Sequence, residues 1–298
     1  MQKVINPIVY AWCLLFAIPF IYSCSSNRNS TKDVVHIPYP LPIPDSMPAV
    51  FLPGLVSKDG LDFNAAFSPD GKTFYFSRSR NRKYVIYECS YSGGKWQEPI
   101  ICKLFDTLYS NTDPFFAADG ALYYISNRPV VPTDTTDDYN IYCMSGQENS
   151  YAPPRYLPAV NSDSTEYYVS VARSGNIYFA SYREGNLDLF MSNKSDTGYE
   201  KPVNLGAVVN SADDEHDPLI APDESFLVFT SGRPGGLGEA DLYITHKING
   251  QWQQPVNMGS NINTKTYDYC PNLSPDGKYF FYSSEFEIKW VNSGILKK

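Results

Sequence analysis

Long apolar runs are scarce in this 298-residue chain. The one clear stretch, Ile8 to Ile21, is shorter than the ~20 residues that span a bilayer, and Pro7 and Pro19 punctuate it, which argues against a retained transmembrane helix. Histidine is nearly absent, with only His36, His216 and His246. There is no His-Glu-x-x-His, no Gly-x-Ser-x-Gly and no dinucleotide fingerprint, so metallohydrolase, serine-hydrolase and nicotinamide chemistry lose their usual signatures. The cysteines show no Cys-x-x-Cys spacing of the kind metal and redox sites use. Basic residues are outnumbered, 24 Lys and Arg against 32 Asp and Glu. A nucleic-acid partner, which needs a basic face to neutralise phosphate, is therefore not expected. Helical periodicity is missing too: no stretch beyond residue 24 keeps an i, i+3, i+4 apolar pattern over three turns, and Pro or Gly interrupts almost every window of ~15 residues. No cofactor and no metal-ligand set follows from these residues.

What is present begins at the N-terminus. Lys3, the apolar stretch and then Ile21-Tyr22-Ser23-Cys24 form a signal-peptide pattern over residues 1–23. An aliphatic residue three positions before a cysteine, with a small residue just before it, resembles the lipobox of bacterial lipoproteins, which implies that Cys24 is acylated and anchors the mature chain to a membrane. Ordinary secretory cleavage nearby and an uncut N-terminal anchor are the alternatives. Ser25 after Cys24, without an early acidic run, resembles lipoproteins of the periplasmic face of an outer membrane. Residues 24–48 are rich in Ser and Pro and read as a stiff tether or as a strip packed on the domain. Without Lys3 the mature chain carries a formal −9. Cys89, Cys102, Cys143 and Cys270 are expected to be buried free thiols.

Self-similarity dominates residues 49–298. Segments starting at Phe67, Phe116, Val171, Ile220 and Leu273 superimpose, with separations of 49, 55, 49 and 53 residues. Each opens on a turn of the Ser-Pro-Asp-Gly type, in which Pro presets φ and Gly accepts a positive one. An aromatic-rich second strand follows (Thr73 to Ser77, Leu122 to Ser126, Ile177 to Ser181, Phe226 to Thr230, Phe280 to Ser283) and reaches a hydroxyl residue ten positions after the anchor. A third strand pairs an aliphatic residue with an aromatic, as in Ile86-Tyr87 and Leu242-Tyr243. A fourth is expected from an aromatic with Pro three residues on, at Trp96, Tyr151, Tyr199 and Trp252. The fifth copy lacks it, whereas Ala49 to Ser57 resembles Pro202 to Ser211. The fold class is therefore all-β, a propeller of about five four-stranded blades in which the N-terminal strand completes the last and removes the free edges. A degenerate sixth blade between Asp33 and Asp59 is the alternative.

Ser-Pro-Asp-Gly-Lys, an aromatic strand ending in Ser, and an Asp-Leu-Tyr-like strand resemble the WD-like repeats of TolB-type periplasmic propellers over ~80% of the chain. The resemblance implies a partner-binding scaffold of the envelope. Ser68-Pro69-Asp70-Gly71 is also a little like the Asp-box of sialidases, but it lacks the intervening residue and the closing Trp, and in either family the Asp shapes a turn.

Five positions before each anchor stand Asp62, Asn111, Glu166, Glu215 and Asp268, with Asp113, His216 and Asp217 close by. Such a column would ring one mouth of the central channel and bind a cation or cationic peptide. The competing account is architectural: each acid caps its own turn or pairs with an arginine of the next blade, since Arg78, Arg128, Arg183 and Arg233 follow the second strands. Two loops depart from the repeat. Pro129 to Tyr139 carries Asp134, Asp137 and Asp138, and Gly232 to Gly238 is glycine-rich but precedes a strand, which disfavours phosphate binding. The expectation is a noncatalytic, monomeric, lipid-anchored scaffold for an envelope protein or peptide. The alternative is a glycan hydrolase using Glu166 with Glu215 or Asp268, since a carboxylate pair ~5–10 Å apart suffices.

Overall fold

The computed structural model describes residues 36–58, 62–146 and 150–297. The signal segment 1–23, the lipidation site Cys24 and the first part of the tether lie outside the described residues.

Five antiparallel sheets surround an axis, and each follows the order expected from its repeat. The first, innermost strands are Asp62–Phe67, Asn111–Phe116, Glu166–Val171, Glu215–Ile220 and Asp268–Leu273. Second strands run Thr73–Arg80, Leu122–Ser126, Ile177–Ser181, Phe226–Ser231 and Tyr279–Ser284. Third strands run Lys83–Ser92, Asn140–Met144, Asp188–Ser192, Asp241–Ile248 and Glu287–Asn292. The fourth strand departs slightly from expectation. The aromatic before each Pro belongs to the return from the third strand, as where Trp96 pairs with Tyr91. The outer strand itself follows the Pro, at Ile100–Ile101, Arg155–Tyr156, Val203–Asn204 and Val256–Asn257. Proline has no N–H for a ladder, so the strand starts beyond it.

Closure occurs as expected: Ala49–Val50 is the outer strand of the fifth blade, with Ala49 opposite Trp290. The core confirms the ring. An open row of five sheets has four interfaces, but five separate apolar clusters fill the seams, and the fifth packs Phe67 and Phe74 of the first blade against Phe51, Phe281 and Trp290 of the last. Flat sheets meeting face to face need wide side chains between them, which accounts for the buried Tyr, Phe and Trp. The chain before Ala49 contributes to the closing seam. Ile37 is buried, Tyr39 stacks on Trp290 and donates to Asp276, and Trp96 Nε1 donates to the Pro38 carbonyl. From residue 36 onward, then, the tether is a docked strip. The four described cysteines are buried and free, and burial, the dominant influence, pushes their thiols up.

Candidate functional site

The first strands enter the axis in a shared geometry. Each breaks register with its second strand once, between Phe63 and Ala66, Thr112 and Phe115, Tyr167 and Val169, His216 and Leu219, and Tyr269 and Asn272. At each break the residue three before the anchor has a left-handed backbone: Asn64, Asp113, Tyr168, Asp217 and Cys270, with φ from 39° to 58°. Asn and Asp tolerate that region better than most residues, whereas a bulky Tyr there is a strained choice. The bulge re-aims the strand, and so three successive positions of one strand acquire three different tasks.

Five before the anchor is a clamp. Arg78 donates from Nε to Asp62 Oδ1 at 2.5 Å and from Nη2 to Oδ2 at 2.8 Å. Arg183 reaches Glu166 Oε1 at 2.9 Å and the Val160 carbonyl at 2.6 Å, and Arg233 repeats this with Glu215 at 3.2 Å and Val209 at 2.6 Å. Ser162 and Ser181 also donate to Glu166, Ser211 and Ser231 to Glu215, and Thr264 to Asp268. Asn111 bonds the Asp106 and Tyr109 carbonyls, and Arg128, with no carboxylate to meet, lies over the Tyr109 and Tyr142 rings. The pairing lies within each blade, a correction to the arginine of the next blade, because clamp and arginine sit on paired strands one hairpin apart. Asp62, Glu166, Glu215 and Asp268 are fully buried. Burial, outweighing the hydrogen bonds, raises the carboxyls of Glu166 and Asp268. None of the four lines the axial cavity.

Four before the anchor is a collar. Phe63, Tyr167, His216 and Tyr269 join Tyr84, Tyr139, Tyr182 and Tyr267 in a chain of rings that passes through all five blades, with successive centroids 5.5–6.3 Å apart. It walls an axial funnel of about 510 Å³, a size typical of small-ligand sites.

Three before the anchor is the floor. Asp113, Asp217 and Cys270 line the bottom of the funnel. Tyr168 reaches from the third blade past the fourth to donate to the Pro271 carbonyl of the fifth at 2.7 Å, crossing the channel. Asp113 Oδ1 accepts from Thr112 Oγ1 at 3.1 Å and distantly, at 3.5 Å, from Asn64 Nδ2. Asp217 accepts from the Cys270 N–H at 3.0 Å and meets His216 Nδ1 at 3.0 Å, while His216 Nε2 meets the Tyr267 hydroxyl at 2.5 Å. Burial, then the Asp217 charge, pushes the Asp113 carboxyl well above its ordinary range. Burial alone would lower His216, but Asp217, with Asp214 and Glu215, more than reverses that. The hydroxyl column ten after each anchor supports this layer across the seams: Ser77 Oγ accepts from the Asp113 N–H, and Ser283 Oγ from that of Asn64.

Of the sequence candidates, then, the fold brings Asp113, His216 and Asp217 together in the funnel and keeps Asp62, Asn111, Glu166, Glu215 and Asp268 outside it. Apart from His216, the collar escaped sequence reasoning, as did the floor positions Asn64, Tyr168 and Cys270, although a signal existed: Pro114, Pro218 and Pro271 directly follow floor residues, and Pro inside a strand marks a bulge. The two irregular loops are tied down by their own acids and by neighbouring segments. Asp134 accepts from the Val130 and Thr136 amides. Leu237 and Gly238 amides are taken by Asp241, and a Cβ on Gly238 would lie 2.2 Å from the Thr266 carbonyl.

The chain is thus a five-bladed propeller with a blind axial funnel. No protein-family model matches it, and no curated protein sequence does. Solved propeller structures are similar to it in fold alone. A TolB from Agrobacterium tumefaciens is 17% identical over 74% of this chain and 69% of its own, with a TM-score of 0.49. TolB from Acinetobacter baumannii is 13% identical over 78% of this chain, which spans 54% of that protein, with a TM-score of 0.46. A Dyadobacter fermentans protein of unknown function is 13% identical over 84% of this chain and 83% of its own, with a TM-score of 0.49.

Proposed function

We propose that this propeller is a noncatalytic binding module, held at the envelope by acylated Cys24, whose funnel receives a cationic segment of a partner protein or peptide. One observation carries the reading. The funnel joins a continuous aromatic wall to a floor of carboxylates, and no Lys or Arg is among its lining residues. Aromatic faces attract cations and pack along their methylene stems, by ~0.5–2 kcal/mol per contact. A concave site of one sign also raises the local concentration of the opposite one. The glycan-hydrolase alternative has less support, since Glu166, Glu215 and Asp268 are buried and none of them lines the funnel.

The test is selection of displayed peptides on the full chain, with Tyr139→Ala/Tyr267→Ala as a counter-screen. Enrichment of Lys- or Arg-bearing peptides that the double variant fails to retain is expected. Release of reducing ends from an oligosaccharide panel, without peptide enrichment, would replace this reading with the enzymatic one. The anchor is tested separately by labelled-palmitate incorporation, which Cys24→Ala should abolish.

A further inference from the structure

We infer that the funnel floor is a seat for one primary ammonium group, gripped by Asp113 and Asp217 with the Asn64 amide oxygen as third acceptor. This rests on the funnel being the binding site.

The floor has acceptors left over. Among the described residues no hydrogen bond reaches Asp113 Oδ2, whereas both oxygens of Asp217 are engaged by His216 and the Cys270 amide. Asn64 is 1% exposed; its Nδ2 lies against Asp113 and its Oδ1 has no donor at all. A buried amide oxygen without a donor is an uncommon and costly arrangement. It comes from a different blade than either carboxylate, and the same amide lies against Asp113.

The chemistry of the occupant follows from number and shape. An ammonium has three N–H donors that diverge from one atom. A guanidinium is a flat fork of five donors suited to a bidentate face, and the floor offers no free carboxylate edge of that kind, since each carboxylate already holds a neighbour. A calcium ion takes six to eight oxygens, and among the described residues no group of three or more His, Cys, Asp or Glu gathers for a metal. Tyr168 crosses beneath, so nothing threads through. The charge must arrive at the tip of a thin stem, as in a lysine side chain laid along the collar.

Charge balance predicts the proton traffic. His216 faces Asp217, and burial, then the Asp217 charge, raises the Asp113 carboxyl. Asp214, Cys270, Tyr168, Tyr267 and Tyr269 also face this point; burial pushes the thiol and these three phenols upward, so they stay neutral. An entering ammonium pairs with the ionised Asp113 carboxylate, so any proton on that raised carboxyl leaves to solvent and binding weakens as pH falls.

The probe is pentylammonium chloride titrated calorimetrically into the full chain, in two buffers of different ionisation heat, against 1-pentanol as its neutral twin and calcium chloride. Expected are binding with net proton release, at least tenfold weaker binding of pentanol, and at least a tenfold loss of ammonium affinity in Asp113→Asn with pentanol unchanged. Asn64→Gly, which suits the left-handed backbone, should lose several-fold. Melting curves check that both variants fold; if either does not, the wild-type ratio of ammonium to alcohol decides. Equal binding of the two, lost in Tyr139→Ala, overturns the seat and leaves the funnel. Calcium binding with no response to pentylammonium overturns it in favour of a metal. No response to any of the three, with no peptide enriched, overturns both.

Discussion

The clamp and the floor lie two residues apart on the same strands, yet they behave as opposites. Asp62, Glu166 and Glu215 each meet an arginine of their own blade, and Glu166 and Glu215 are also met by hydroxyls on both sides. Asn64, at 1% exposed, lacks a donor for its amide oxygen, and Asp113, at 7%, accepts side-chain hydrogen bonds at one oxygen only. A side chain that every blade repeats serves what every blade shares, which is joining its second strand to the loop before its first. The floor holds five residues of four types, one from each blade, Asn, Asp, Tyr, Asp and Cys, in one backbone geometry. Saturated polar groups hold a fold together, while unsaturated ones at the end of a cavity remain available to a ligand.

That contrast makes predictions of different size and sign. Arg233→Ala strips the guanidinium from a buried carboxylate and should destabilise the domain by ~3–5 kcal/mol. This appears as a melting-temperature drop on the order of 10 °C in circular dichroism, while any protein still folded binds pentylammonium normally; loss of binding without loss of stability would erase the distinction. Ser77→Ala removes the acceptor of the Asp113 N–H and of Thr112 Oγ1. It should cost about 1–3 kcal/mol in denaturant unfolding, and it should disturb the floor as well, because this hydroxyl joins the two layers.

Asp113→Asn should act in the opposite direction. The native carboxyl is raised, so from just above pH 4 up to its native pKa the folded state holds a proton that the unfolded chain has released. Stability therefore falls as pH rises through that window, by up to about 1.4 kcal/mol per pH unit. The amide removes this slope, and the variant should melt roughly 2–4 °C higher than wild type at pH 8; a variant that melts lower there would show Asp113 to be a structural member like Glu215. Phe286→Ala is the smallest change. This ring sits at the funnel rim, 62% exposed, and its loss should leave stability within about 0.5 kcal/mol while weakening any peptide found in the selection.

Much of the architecture was legible because it is written five times. Anchor spacing, turn chemistry and the hydroxyl column placed four of the second strands within a residue and the first within three, and Ala49 to Ser57 announced how the ring closes. The same repeat logic misdirected the choice of site. Asp62, Glu166, Glu215 and Asp268 look like a channel ring because they recur, and recurrence is what their structural task requires. The neighbouring column, with Asn, Tyr and Cys among its members, reads as degeneracy.

By itself the sequence determined the repeat, the order of strands and the closing strand, since those depend on local patterns of hydrophobicity and turn residues repeated along the chain, while the choice between five blades and six was decided by the structure. Which of three adjacent columns faces the axis was decided only in three dimensions. A strand alternates its side chains with period two, and one left-handed residue per blade breaks that alternation at a single point. The partners that then converge, such as Tyr168 on Pro271 or Asn64 beside Asp113, are 103 and 49 residues apart, and only the packing of separate blades around one axis brings them within reach.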